Sequence, residues 1–598
     1  MKKVACLFSF FFVLSSGIAL AQSVYQRIYF EASPSQIQSV IRKGIALDHL
    51  LPQGNGFIAE ISDLEVGIMK DAGITVNVII ADLSLEFTKK YSSFNNFSGS
   101  RDFTQPEHFH AGSMGGALTL SEVWDELDSM KLYFPDLITE KENIGTSYEG
   151  RPIYMVKISD TPDVDENEPE VEFDALHHAR EPVSMMQIIY YMWWLLENYD
   201  EDSLASYLVN EREIYFVPVV NPDGYYYNES TDPDGGGYWR KNRRDNGDGT
   251  FGVDLNRNYG WEWGHDSGSS DESWTDVYRG TESFSEPETA TMRDFFSAHE
   301  FTNTVSCHSF GDFLINPWGY SETACDDADW FSGFSERATR WSDYDHGNTV
   351  LTVGYLASGT TTDFNYGDTI LKPRSMAFTP ETGYSFWPAP GDIPDLCAGI
   401  LEQNILCTYL PNAIFTISTV NEMSSDDISM AVPFSVNNVG LQQGNVKCYL
   451  QSDSPYLIDD GDSIEVMNVD VLASAIAEIP VQLNETTPNG ALINALLIAD
   501  DGILTDTAYI TIEYTGVPAS IDQATAFLNV FPNPADDFIS LAGAHQNVTL
   551  LFFDITGRKL LSVKPNLDPI DISMLPKGIY IIEIQNGDES ERVRLVKK

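Results

Sequence analysis

The sequence predicts an α/β protein in which a mixed sheet carries helices on both faces, preceded by a small α+β unit and followed by two all-β sandwich units. Three observations predict it. The chain has 598 residues, and at roughly 150 residues per domain that calls for about three or four cores. Between residues 115 and 412, strand-like runs such as "VEFDAL" and "EIYFVPVV" alternate with helical ones such as "EPVSMMQIIYYMWWLLENY", the pattern of a sheet covered by helices. From residue 413 onward, short alternating runs separated by turns ("AIFTISTV", "VKCYLQS", "YITIEYT") take over, as in β-sandwiches.

Taken in order, residues 1–21 read as a signal peptide. Lys2 and Lys3 precede the apolar "VACLFSFFFVL", and Ala19-Leu20-Ala21 forms a small-residue cleavage pattern,. Residues 22–95 mix strand-like runs ("YQRIYFEA", "GFIAEIS") with helical ones ("DLEVGIMKDAG"), which predicts a compact α+β unit. The Ser- and Asn-rich stretch 96–114 reads as an exposed linker and an easy site of cleavage. Thr119 and Glu122 form a capping box that opens the first helix of the 115–412 unit,. A β-sandwich over 413–515, a linker over 516–524 and a final strand-and-turn unit over 525–598 complete the chain.

Lys and Arg total 35 against 89 Asp and Glu, a formal charge of −54. Such a surface repels nucleic acid and anionic membranes and suits an exported protein. No stretch after the signal approaches the roughly 20 apolar residues of a membrane span, so no transmembrane segment is expected. Cys307, Cys325, Cys397, Cys407 and Cys448 are too scattered for a disulfide framework, although an oxidising compartment would permit a bridge or two,.

The chemistry concentrates in "ALHHAREPVS", residues 175–184. Pro182 fits the first turn of a helix, and His178 and Glu181, three residues apart, can address one point in space. Imidazole and carboxylate are zinc ligands, but a catalytic zinc site needs a third. By itself the pair fits a polar helix start equally well. His308, in "VSCHSF" at the end of a strand-like run, stands where sites collect in α/β proteins, although such a histidine can also be a satisfied structural residue.

The motifs "HHARE", "NPDGY", "YWRKN", "DLNRN", "CHSF", "GYLASGTTTDF" and "FTPETGY", in that order, resemble those of zinc carboxypeptidases of the carboxypeptidase A type, the funnelins. The resemblance covers about residues 115–412 and implies that His178, Glu181 and His308 bind one zinc ion with water in the fourth position, His177 being a neighbour. It implies Glu381 as the general base that activates the zinc-bound water, and Arg240 as the stabiliser of the oxyanion. It further implies Asn256 and Arg257 as the grip on the substrate's C-terminal carboxylate, Tyr355 as a closing tyrosine, and Arg180 as a more distant substrate contact. Thr362 matches the base of the side-chain pocket and Gly319 another pocket position. Both are uncharged, so a neutral or broad preference is expected, with apolar or aromatic C-terminal residues favoured.

These positions imply a secreted zinc metallocarboxypeptidase acting on peptides or proteins. A peptidoglycan-trimming carboxypeptidase and a catalytically inert surface binding protein are the alternatives. Residues 22–95 more faintly resemble a zymogen prodomain. The end of the chain, "FPNPADDFISL" through "DITGRKLL" to "VRLVKK", resembles the C-terminal sorting domain of type IX secretion, which implies export across two bacterial membranes through that machinery, followed by release or surface attachment. "RRDNGDGT", residues 243–250, has the acids and glycines of a calcium loop but neither the EF-hand spacing nor its closing Glu,. A solvated turn is expected there.

Overall fold

A computed structural model describes residues 23–91, 105–516 and 529–598, apart from interruptions at 46, 48, 266–267, 460–461, 543–547, 555–557, 565–568 and 587–588. The expected signal peptide 1–21, residues 96–104 of the first linker and 517–524 of the second lie outside the described residues. No helix among the described residues is long and apolar enough to cross a membrane.

The first unit comprises β1 (Tyr25–Phe30), α1 (Pro34–Ile41), β2 (Leu51–Gln53), β3 (Gly56–Ser62), α2 (Asp63–Asp71), β4 (Val76–Ile80) and α3 (Leu83–Tyr91). Its sheet runs β2-β3-β1-β4 over a small core containing Ile28, Phe30, Ile61 and Met69. Capping boxes at Ser33 and Ser62 start α1 and α2. The linker departs from its expected exposure. Within residues 105–114, Phe109 is 2% exposed and Met114 fully buried, because these two apolar side chains join the main core.

The central unit follows with α4 (Leu120–Tyr133), β5 (Glu142–Thr146), β6 (Pro152–Ile158), β7 (Glu170–Ala175), α5 (Pro182–Asn198), α6 (Ser203–Asn210), β8 (Glu213–Val217), α7 (Pro222–Thr231), α8 (Pro287–Ala298) and β9 (Asn303–Cys307). Then come β10 (Phe313–Ile315), α9 (Ala328–Ala338), β11 (Asp345–Gly347), α10 (Thr361–Gly367), β12 (Met376–Glu381), α11 (Ile393–Gly399) and α12 (Leu401–Tyr409). The strands form one mixed sheet in the order β11-β10-β12-β9-β7-β8-β6-β5. Its middle pairs, β12 with β9, β9 with β7 and β7 with β8, are parallel. Apolar side chains fill both faces: a large cluster includes α5, and a second one lies under α8 and α10. Buried residues make up 14 of the 17 in α5, so this helix has no solvent face to keep polar. Thr119 and Glu122 cap α4 reciprocally, as the sequence predicts.

Beyond the central unit, β13 (Phe415–Thr419), β14 (Glu422–Ser425), β15 (Ser429–Asn438), β16 (Gly444–Gln451), β17 (Leu457–Asp459), β18 (Ile464–Val469), β19 (Ser474–Leu483), β20 (Ala491–Asp500) and β21 (Thr505–Tyr514) form two facing sheets around a shared apolar core. Strands from Asn529–Phe531 to Glu589–Lys597 build the last all-β unit. The α/β unit with β units behind it is the predicted fold class. Cys307, Cys325, Cys397, Cys407 and Cys448 are all buried and unpaired, with no disulfide among the described residues.

Two acids of β7 have no exposure at all: Glu172 and Asp174. Burial, and after it repulsion from Asp174, holds the Glu172 carboxyl well above its ordinary range. The fold thus favours the protonated form. Unfolding releases a group that ionises near pH 4.5, so this residue's contribution to stability falls as pH rises from there toward the folded-state value. Glu172→Gln keeps the shape and never ionises. Its melting temperature is expected to exceed the parent's by a margin that grows upward from about pH 4.5; a margin that shrinks over that range would contradict the assignment.

Candidate active site

Three adjacent parallel strands deliver the central residues. β7 and β9 pair in a register that sets Ala175 beside Cys307, and β9 pairs with β12 so that Val305 meets Phe378. Their C-terminal ends therefore open on one edge of the sheet, where ligands bind in α/β folds. His178 and Glu181 follow β7, His308 follows β9, and Glu381 ends β12, with His308 and Glu381 bridged across the edge. Leu176 turns the chain there in the left-handed region, at φ 56°, a conformation that costs a side-chain-bearing residue about 1–2 kcal/mol. Pro182 occupies the first turn of α5 and Glu181 its N-cap, without capping through its side chain. The carboxylate is left to face the histidines.

Glu181 Oε1 lies 2.8 Å from His178 Nδ1, and Oε2 lies 2.9 Å from His308 Nδ1. The two Nδ1 atoms are 3.1 Å apart. One donor atom from each residue falls within 4.8 Å of the others, the single such group among the described residues. Two imidazole nitrogens and one carboxylate are the donor set of an open zinc site. The residues therefore fit one ion. Burial presses the His308 pKa down to about 4, keeping the ring neutral with a lone pair to offer. Burial works to raise Glu181, but the two imidazoles outweigh it and hold the carboxyl well below its ordinary range.

Behind the donors, His178 Nε2 lies 3.2 Å from Asp254 Oδ1. Asp254 also accepts from Arg240 Nε at 3.1 Å and Nη2 at 2.9 Å. Burial opposes ionisation of Asp254, but Arg240, Arg257 and His178 together hold its pKa well below the usual carboxylate value. His177 stays out of the donor group. Its Nδ1 is 3.2 Å from Asp174, its Nε2 is 2.7 Å from the Tyr259 hydroxyl, and its ring stacks on His308 at 5.6 Å.

The site opens into a cavity whose lining includes His178, Arg240, Asn256, Arg257, Tyr355, Thr362 and Glu381. Asn256 accepts from Thr361 N at 2.9 Å, and its carboxamide lies 3.1 Å from His308 Nε2. Arg257 Nη1 donates to Asn256 O, while its buried Nε has no protein partner. Arg180 does not line this cavity. It is 1% exposed, pairs with Asp276 at 3.1 Å and lies between the rings of Tyr25 and Phe386.

The sequence-family model described as "Zinc carboxypeptidase" matches residues 124–402, and "Secretion system C-terminal sorting domain" matches residues 529–598. A carboxypeptidase A2 of Mus musculus is 30% identical over 336 residues, covering 54% of this chain and 76% of that protein. The chain belongs to the zinc carboxypeptidase family. A carboxypeptidase B of Helicoverpa zea is 33% identical over 273 residues, covering 43% of this chain, which spans 61% of that relative's length. A solved carboxypeptidase A from Helicoverpa armigera superposes with a TM-score of 0.53 at 24% identity, covering 65% of this chain and 97% of that one. Zinc is the metal of the family, and His178, Glu181 and His308 form a group able to hold such an ion.

Four residues of the site have no role assigned from the sequence. Asp254 sits inside the motif "DLNRN", and the signal that could have found it is the counter-charge that a buried Arg240 requires. His49 comes from the first unit, stacks on Phe310 at 4.6 Å and lines the cavity. Asn316 and Asp363 line it too. The loop at residues 243–250 is the expected turn. Asp248 accepts from Thr250 and from Ser273, and Asp245 from Gly247 N, so its carboxylates are spent within the protein.

Proposed function

We propose that the chain is a secreted zinc-dependent metallocarboxypeptidase that removes residues from the C-termini of peptides and proteins. The observation that supports this most directly is the convergence of His178 Nδ1, Glu181 and His308 Nδ1 within 4.8 Å at the wall of a cavity that also presents Arg240, Arg257 and Glu381. When bound, the zinc ion supplies Lewis acidity, polarising the scissile carbonyl and acidifying water. Glu381, 8% exposed at the cavity wall, takes the proton of the attacking water and returns it to the leaving amine. Arg240, held by Asp254, offers a fixed cation to the developing oxyanion. Arg257 and Asn256 grip the free carboxylate of the substrate, for which a planar guanidinium is suited. Tyr355, preceded by Gly354 at φ 78°, closes over bound peptide. Arg180 contacts substrate further from the scissile bond once the first unit leaves it.

Release of the terminal residue from N-blocked dipeptides is expected to stop on chelation and return on adding zinc. Activity undiminished by a chelator would refute the reading.

The first unit acts as a prodomain in this proposal. His49 stands at the cavity wall, Tyr25 covers Arg180, and Phe87 of α3 seats against Gly115, Gly235 and Gly236, where a Cβ would clash at 2.6 to 3.0 Å. Cleavage within residues 92–104 is expected to raise kcat/KM severalfold, read on the same dipeptides. Equal turnover before and after cleavage would remove the zymogen assignment. The sorting domain supports recognition by the type IX secretion machinery.

A further inference from the structure

We infer that the side-chain pocket selects a C-terminal residue bearing an uncharged carboxamide, glutamine or asparagine, through Asn316 and the paired hydroxyls of Thr362 and Thr379. This inference rests on the carboxypeptidase reading and departs from the apolar or aromatic preference expected of an uncharged pocket.

Asn316 follows β10 and is 6% exposed. Its backbone N–H donates to Gly347 O at 2.9 Å, its carboxamide makes no hydrogen bond among the described residues, and the residue lines the cavity. A carboxamide at a pocket wall with no protein partner keeps both a donor and an acceptor for whatever enters. Opposite it, the Thr362 and Thr379 hydroxyls lie 2.5 Å apart, and both residues line the same cavity. When two hydroxyls bond each other, one donates and the other keeps a hydrogen to give. Neither has another partner among the described residues, so that hydrogen is available to a group in the pocket.

The remaining walls fit the same occupant. Ile315, Val353 and Ala357 are apolar and can cover an aliphatic stem. At Gly319 an added Cβ would stand 2.7 Å from Ala357 O, so the glycine keeps that wall open. Asp363 is the one acid of the lining besides Glu381, and its two oxygens accept from Gly319 N at 2.8 Å and Tyr320 N at 3.0 Å. Both of its oxygens are thus engaged by backbone amides. A leucine or phenylalanine would seal off Asn316 and the free hydroxyl with their bonds unmade, and a site built to pair polar groups discriminates against the analogue that lacks them.

The test uses the zinc-loaded full chain, before and after cleavage in residues 92–104, with N-blocked dipeptides that differ only in the last residue: Gln, Asn, Leu, Phe or Lys. Binding of the same dipeptides to the Glu381→Gln variant is measured in parallel by calorimetry. Gln or Asn is expected to exceed Leu and Phe by about 10-fold or more in kcat/KM and in affinity. Asn316→Leu is expected to reverse the order, and Thr362→Val, a smaller change, to narrow it. Leu, Phe or Lys matching Gln in the parent, or no measurable binding of any dipeptide, overturns the inference. Absence of zinc-dependent hydrolysis alongside preserved Gln-over-Leu binding would instead overturn the enzymatic reading and leave the pocket assignment supported.

Discussion

Glu381→Gln is expected to lower the rate of the chemical step by roughly 10² to 10⁴-fold or more, with zinc content unchanged. Gln has nearly the shape of Glu but cannot accept and return a proton. Glu381 lies outside the donor group of His178, Glu181 and His308, so its loss leaves the ion's ligands in place. The substrate should still bind, because Asn256 and Arg257, the proposed grip on its carboxylate, are unchanged. Single-turnover rates together with metal analysis check both halves. A variant retaining parental kcat would refute the proton-transfer role, and one that lost zinc would show that Glu381 acts on the ion instead.

The second large effect concerns Asp254. Its Oδ1 orients His178 through Nε2, and its Oδ2 takes two hydrogen bonds from Arg240. Both partners are buried, Arg240 at 1% exposure. Asp254→Ala takes from the buried guanidinium the carboxylate that accepts two of its hydrogen bonds, and breaking a buried pair in this way costs about 3–5 kcal/mol. It also frees the rotation of a metal ligand, which typically weakens metal affinity about 10–100-fold. The variant should melt well below the parent, and its zinc dissociation constant, measured by competition with a chelating dye, should rise by that factor. Asp254→Asn keeps an acceptor for His178 and should recover part of the zinc affinity but little of the stability. Parental zinc affinity in both variants would show that Asp254 does not orient the ligand.

The same two residues show what could be read without a structure. Glu381 is legible because "FTPETG" is a contiguous motif at a fixed place in an ordered series. Asp254 lies in an equally contiguous motif, "DLNRN", yet its work is defined by Arg240, fourteen residues before it, and His178, seventy-six before it. No local pattern encodes those distances. Arg180 is a further case: its motif implies a substrate contact, and the fold shows it enclosed by Tyr25 from the first unit and paired with Asp276. The linker is similar, since a Ser- and Asn-rich composition suggests exposure while Phe109 and Met114 pull its second half into the core.

By itself the sequence supplied the alternation that makes an α/β unit, because the periodicity of apolar side chains is a local property, and its ordered motifs supplied the resemblance that implies His178, Glu181 and His308 as metal donors and Glu381 as proton acceptor. Only the tertiary structure decided which groups meet: that β7, β9 and β12 lie side by side so that three distant segments end at one edge, that Asp254 stands behind His178, and that Asn316 joins Thr362 and Thr379 in one pocket lining. Strand order and burial arise from the packing of the whole unit, and a side chain's partners are fixed by that packing rather than by its neighbours in sequence.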